Sequence, residues 1–395
     1  PSTMALMTDD GPVGGNPFDG IPLFKDLAGM FQQAGSLNYD IARQTSLWVA
    51  TGGKSEPNVD PVQRMRYEEL FTIAALHVGE ATGLVIEAAA AAVQIATRAE
   101  WAATALDAYK PILERLAESV SNAQAPDTSD ELDEMAGFLG GLGKMMSPVL
   151  IGMQAGVMVG QLAQRGLGPY DLPLPRPAGA RVQILPANVD AFAAEWNLPI
   201  DDLRLWVLVE ELAYHVILSA EPVRARVNQL VAEYVGGFNV DSSGIEDHLG
   251  EIDPSDAASL ERILGNPEVL LGAIQTDAQR ATLSQLTAAI AAILGVVDHV
   301  MDVVGPRITG QPAVLSEALR RRRMGKDEDQ KFAERMLGLS LGPETHSRGE
   351  KFVEGVIERA DPDALAQLWT KKNGLPTPAE IDAPGLWLAR LEFED

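Results

Sequence analysis

No cysteine occurs among the 395 residues. Disulfides, thiolate metal ligands and thiol catalysis are therefore excluded together. Cations are also in short supply: 31 Lys and Arg face 56 Asp and Glu, a net charge of −25. Binding to phosphate backbones needs concentrated Lys and Arg, so nucleic acid and anionic membrane surfaces are disfavoured. An acidic surface favours solubility and cationic partners. Phosphate-binding signatures are missing too: there is no Walker A loop and no G-x-G-x-x-G unit after a strand. A secretory signal is not visible either, because residues 1–22 read as an acidic Gly/Pro leader without an apolar core. The expected location is the cytoplasm. Only residues 145–162 invite a membrane-spanning reading. Pro148, Gln154 and Gln161 interrupt them, and the apolar run is shorter than a bilayer needs. Gly152, Gly156 and Gly160 recur there at four-residue spacing, which lets two helix backbones approach closely. A buried helix in a soluble core is the expected outcome, with no membrane insertion.

What is present is helix after helix. Hydrophobic residues make up 46% of the chain, ample for a packed core. Amphipathic patterns predict helices over 23–33, 39–49, 61–78, 101–120 and 130–144. In 61–78 the apolar side is read as Met65, Leu70, Ile73 and Leu76. The Ala-rich 88–92 continues helically, and the loop 125–129 supplies an N-cap for the helix after it. Short strands are expected at 93–97 and 181–185. The Pro-rich 169–177 is the best internal boundary, and Asp253-Pro254-Ser255-Asp256 and Gly305-Pro306 punctuate the helical second half. The expected division is a leader at 1–22, a helical region at 23–168, a core at 169–310 and a C-terminal helical region at 311–395. The fold class is mainly α, with a few short strands next to the helix described next.

Residues 205–215 carry the most informative pattern. A zincin helix bears H-E-x-x-H: two His one turn apart bind Zn²⁺ and the Glu between the two is the general base. Here the matching positions read Glu210, Glu211, Leu212, Ala213 and Tyr214. The base position keeps its carboxylate as Glu211, while Glu210 and Tyr214 stand at the ligand positions. Without a Lewis acid to polarise a carbonyl and activate water, such a helix has no obvious peptidase chemistry.

The surrounding landmarks follow a recognisable order. Leu37-Asn38-Tyr39-Asp40 and Arg98-Ala99-Glu100-Trp101 come first. Gly168-Pro169-Tyr170-Asp171, an apolar Val182-Gln183-Ile184-Leu185 and Phe192-Ala193-Ala194-Glu195-Trp196 precede the motif helix. Leu375-Pro376-Thr377-Pro378 closes the series. This collinear order, over residues 20–390, resembles an actinobacterial family of zincin-like metallopeptidases, one branch of which carries a coenzyme F420 biosynthesis label. The resemblance implies a zinc peptidase with Glu211 as base. It also implies a third ligand from a Glu-Gly pair on a downstream helix, where this chain reads Leu294-Gly295. All three implied ligand positions are thus replaced, by Glu210, Tyr214 and Leu294. The expectation is a retained fold with a disabled metal centre: no cofactor, with zinc only if the family's site were intact. Such a chain acts by binding a protein or peptide partner in the old cleft.

Other candidates are weighed beside it. His215 lies about 100° around the helix from Tyr214 and cannot replace the lost ligand without rotating the helix. Asp298 and Asp302 share a face at i,i+4 spacing beside His299. With Glu210 and Glu211 they could hold a hard cation, or they could be solvated or pair with Arg residues. The leading alternative is a working hydrolase with an unusual metal site built from Glu210, Glu211, His215 and Asp298 or His299. A third reading is a structural homo-oligomer whose contact is the Gly152/Gly156/Gly160 helix or the N-terminal helices. Gly338-Leu339-Ser340-Leu341-Gly342 matches G-x-S-x-G, but a helix precedes it and Pro343 follows, so a helix C-terminal turn explains it better than a nucleophile elbow. Arg320-Arg321-Arg322-Arg323 ends an expected helix, where positive charge suits the dipole, and internal pairing with the acidic excess is expected.

Overall fold

Local sequence sets most helix ends. The structure, a computed structural model, describes residues 35–86, 93–123, 133–238, 276–325 and 328–393. The expected helix at 23–33, the Ala-rich 88–92, the loop at 125–129 and the punctuation at 253–256 lie outside the described residues. Helix α1 (Tyr39–Thr51) starts where the Asn38 side chain accepts from Ile41 N–H at 3.1 Å, and stops at Gly52, whose φ of 60° suits glycine. Helix α2 (Pro61–Thr82) begins with Asp60 as cap and Pro at its first position. A capping box opens α3 (Arg98–Ala123): Glu100 accepts from Thr97 N–H at 2.9 Å, and Thr97 Oγ accepts from Glu100 N–H at 3.2 Å.

The next helix, α4, runs from Asp133–Arg165 without a break. The helix expected at 130–144 and the apolar 145–162 are therefore one element that passes through Pro148. Its glycines meet α1. A Cβ on Gly156 would come within 2.5 Å of Ala42 O, and one on Gly160 within 2.5 Å of Val49 Cβ. The small-residue stripe is used inside the chain, so it is not available as the oligomer contact expected above.

Two two-residue strands, β1 (Gln94–Ile95) and β2 (Gln183–Ile184), pair in parallel. They fall inside both expected strand segments. Helices α5 (Pro186–Trp196), α6 (Ile200–Ser219) and α7 (Glu221–Gly236) follow. After the next described gap come α8 (Asp277–Ile308), α9 (Pro312–Met324), α10 (Glu328–Met336), α11 (Pro343–Arg359), α12 (Gln367–Thr370) and α13 (Pro384–Phe393). The fold is mainly α, as the sequence suggests.

The core is built around α6 and α8, each buried on nearly every side in its middle. Leu208, Val209, Leu212 and Ala213 of α6 are fully enclosed, as are Ala288, Ala291, Ala292 and Val297 of α8. Burying one such aliphatic side chain contributes about 1.5–3 kcal/mol for the larger residues. Among the described residues α8, not residues 145–162, is the helix long and apolar enough to cross a membrane. Its apolar window is 78% buried within the fold, as a core helix would be. Gly295 of α8 and Gly349 of α11 let these two helices cross nearly backbone to backbone: a Cβ on Gly295 would reach 2.8 Å from Gly349 Cα.

One expected face is corrected. In α2, Leu70 is buried, but Met65, Ile73 and Leu76 are exposed. The buried side is instead Tyr67, Leu70, Phe71, Ala74 and Val78. The helix is apolar on two sides, and the aromatic side packs toward α6; periodicity alone did not choose between them.

Candidate functional site

Helix α6 presents its two glutamates to different surroundings. Glu210 faces α8 and α9. Its carboxylate meets Arg323 Nη2 at 2.7 Å, and Arg323 Nη1 lies 3.3 Å from Asp298 of α8. Asp298 is also bonded by His346 Nδ1 of α11 at 2.9 Å. Four elements thus converge on one guanidinium. Burial pushes the Glu210 carboxyl upward, partly offset by Arg323. Burial also pushes Asp298 upward, but the His346 bond and Arg323 outweigh it and hold it below its usual value. Desolvation works against the Arg323 charge, yet Glu210, Tyr214 and Asp298 raise its pKa beyond that of a free arginine. The arginine remains charged throughout.

Glu211 points the other way, into a closed niche. One oxygen accepts from Tyr170 N–H at 3.1 Å. Gly168 lies against it so tightly that a Cβ there would come within 2.8 Å of Glu211 Cγ, and closer to its carboxyl carbon. Glycine is required at 168 for this approach. Burial raises the Glu211 pKa well above the ordinary carboxyl value; the charges of Asp171 and Glu210 add to the rise, and the Tyr170 N–H offsets part of it. No cation bonds to it among the described residues. Arg322 is bound elsewhere, to both oxygens of Asp171 at 3.0 and 2.7 Å and to Arg165 O at 2.7 Å.

The 3₁₀ turn Pro169–Asp171 holds this side together. The Tyr170 ring stacks on Tyr214 with centroids 5.9 Å apart, and its hydroxyl shares a hydrogen bond with His215 Nδ1 at 2.8 Å. Burial pushes His215 down to about 4, with Arg176 adding to the effect, so the imidazole is neutral at pH 7. Burial also raises the Tyr214 phenol well above its ordinary value.

A cleft of about 540 Å³ opens between these groups, walled by Tyr170, Glu210, Glu211, Tyr214, Leu294 and His346. Leu294 and Tyr214 share this wall, as their positions in the sequence suggest. His215 and His299 do not line it. Asp298 joins Glu210 through Arg323, the pairing with arginine that the sequence left open, whereas Asp302 is exposed on the same helix. The arginine run ends α9: Arg320 and Arg321 bind Glu317, while Arg322 and Arg323 reach into the cleft. Gly338, with φ of 68°, terminates the stretch after α10, and Ser340 sits in an exposed turn ahead of α11, not after a strand. Sequence reasoning missed His346, Tyr170 and Gly168. For the Arg320–Arg323 run it expected internal pairing with the acidic excess, which Arg323 makes with Glu210 and Asp298, but nothing in it placed that pairing in the cleft.

Zinc is the metal that the motif would imply, and the residues present do not fit it. Leu294 offers no donor, Tyr214 offers a phenol held protonated, and Glu210 is occupied by Arg323. Among the described residues no group of three or more His, Asp or Glu is arranged to hold a metal ion.

Residues 37–388 match the family model of the zincin-like metallopeptidases. The chain belongs to that family. No curated protein matches it. Among solved structures, the crystal structure of a candidate hydrolase with a novel fold from Chloroflexus aurantiacus is similar, with a TM-score of 0.59 and 21% identity. The match covers 90% of this chain and 99% of that one. At this identity the likeness shows a shared fold and nothing about chemistry. The zincin-like family and this fold agree with the order of landmarks along the sequence.

Proposed function

We propose that this zincin-like protein is a non-catalytic member of its family that uses the cleft to bind a peptide or protein. One observation carries the reading: the Arg323 guanidinium lies between Glu210 and Asp298, beside Tyr214, at the place where the implied ligands would gather round a cation. A permanent internal cation there compensates the carboxylates but has no open coordination position with which to activate water. Burial raises the pKa of Glu211, at the base position, well above the ordinary carboxyl value, which reduces the ionised form able to take a proton. The cleft itself remains. Its combination of aromatic, aliphatic and charged walls suits a polypeptide segment with mixed side chains.

The test is metal content and peptidase activity of chelator-free full-length protein after incubation with Zn²⁺, Mn²⁺ or Ca²⁺. The expected result is far less than one ion per chain and no cleavage of unfolded casein. About one tightly held ion, lost in Glu210→Gln or Asp298→Asn, would overturn this reading in favour of a metal-dependent hydrolase with a remodelled site.

A further inference from the structure

The turn Pro169–Asp171 separates two cavities. Tyr170 and Asp171 line the cleft, whereas Pro169 lines a second cavity of about 430 Å³ with Arg176, Arg181, Thr104, Gln183 and Asp107. Arg176 is 8% exposed. Its Nη2 donates to Tyr109 Oη at 2.8 Å and to the Pro169 carbonyl, and its guanidinium lies 4.7 Å from the centre of the Tyr109 ring. Its Nε is buried with no acceptor. Among the described residues it forms no ion pair, and neither does Arg181, which is exposed at the rim.

That is anomalous in this chain. Acidic residues outnumber basic ones 56 to 31, and Arg322 and Arg323 of the cleft are matched to carboxylates. A buried guanidinium without a counter-ion bears an uncompensated desolvation cost. The carboxylate on the lining, Asp107, is taken up by the Tyr39 hydroxyl. Gln183 and Thr104, bonded to each other at 3.3 Å, add polar groups to the same wall.

We propose that this second cavity binds a small oxyanion, a carboxylate or a phosphate, with Arg176 as the buried anchor and Arg181 as the rim cation. Planar guanidinium groups recognise such oxygens through paired hydrogen bonds. Binding has a consequence for the cleft. Arg176 also holds the Pro169 carbonyl, and the next two residues supply the N–H to Glu211 and the carboxylate to Arg322. An anion on Arg176 therefore tightens the turn that forms one wall of the cleft. This site stands on its own geometry whether or not the cleft is catalytic.

The test is calorimetric titration of the full chain with sodium phosphate and, separately, sodium acetate, with ionic strength held constant by chloride. Saturable binding of either anion is expected, and which one binds names the class. Arg181→Gln should weaken that binding about tenfold. Arg176→Lys keeps the charge but loses the fork and should weaken it further; if that variant does not fold, Arg181→Gln decides. Amide exchange across residues 169–176 should slow in the presence of the bound anion. Absence of saturable heat from both anions, or undiminished affinity in Arg181→Gln, would overturn the site. Unchanged exchange across 169–176 would overturn its link to the cleft.

Discussion

Glu210 and Glu211 are adjacent on one helix, about 100° apart around its axis, and the two sides of that helix solve the problem of a buried carboxyl in opposite ways. On the Glu210 side the fold supplies charge: Arg323, Asp298 and His346 complete a network. On the Glu211 side no cation bonds to the carboxyl among the described residues: Gly168 and the Tyr170 N–H close a niche in which burial and the charges of Asp171 and Glu210 favour the protonated acid. Both carboxyl pKa values are raised by burial, that of Glu210 less because Arg323 offsets part of the rise.

The comparison can be broken most strongly at Arg323. Arg323→Met leaves the Glu210 and Asp298 carboxylates without a cation, and urea unfolding at pH 7.5 should show a loss of about 3–5 kcal/mol. A loss of only a few tenths would mean that the ion-paired side is not the stabilising network described. Next in size is the pH response of the neutral side. The folded pKa of His215 is depressed to about 4 from an ordinary 6.5. Its contribution is therefore fully present above pH 6.5 and is lost as pH falls from there through 4. The loss amounts to about 3 kcal/mol over that window. His215→Gln should flatten the acid limb of the stability profile; an unaltered limb would show that His215 is not the group responsible.

Smaller effects sharpen the contrast. Gly168→Ala forces a methyl group against the Glu211 carboxyl and should cost about 1–3 kcal/mol, measured by denaturant midpoint at constant slope. Finally, the two glutamates should respond to different extents. The Glu211 pKa is raised in the fold, so its charged form is penalised as pH rises through the folded value. Glu211→Gln should raise Tm by a few degrees at pH 8, with the gain vanishing near pH 4, where both states of the wild-type residue are protonated. The Glu210 pKa is raised less, because Arg323 offsets part of the burial, so Glu210→Gln should raise Tm at pH 8 by a smaller amount. Equal gains for the two variants would remove the distinction between the two sides.

Much of the fold was legible in the sequence because helix formation is governed by local signals. Asn38, Asp60, Thr97 and Thr276 cap helices through their own side chains, and Gly52 ends one. The glycine spacing at 152, 156 and 160 correctly announced a close helix approach, although its partner was α1 of the same chain. The buried face of α2 was misread, because Met65, Ile73 and Leu76 repeat at helical spacing as well as Tyr67, Phe71 and Ala74 do. The partner helix decides which stripe is covered. At the candidate site, Glu210, Glu211, Tyr214 and Leu294 were found from motif positions. Asp171, His346 and Arg323 are separated from the motif by 39 to 136 residues, and no local pattern links them to it.

The sequence alone determined that this is a cysteine-free, strongly acidic, mainly helical chain, with leucine, tyrosine and glutamate at the positions where its family resemblance implies metal ligands. Those properties reside in composition and short spacings. Only the tertiary structure decided that a single guanidinium would bridge Glu210 and Asp298, that Glu211 would lie buried behind Gly168 with its pKa raised, and that Arg176 would be buried without a carboxylate. The physical reason is that a side chain's charge state depends on what packs around it, and packing brings together residues that the chain itself keeps far apart.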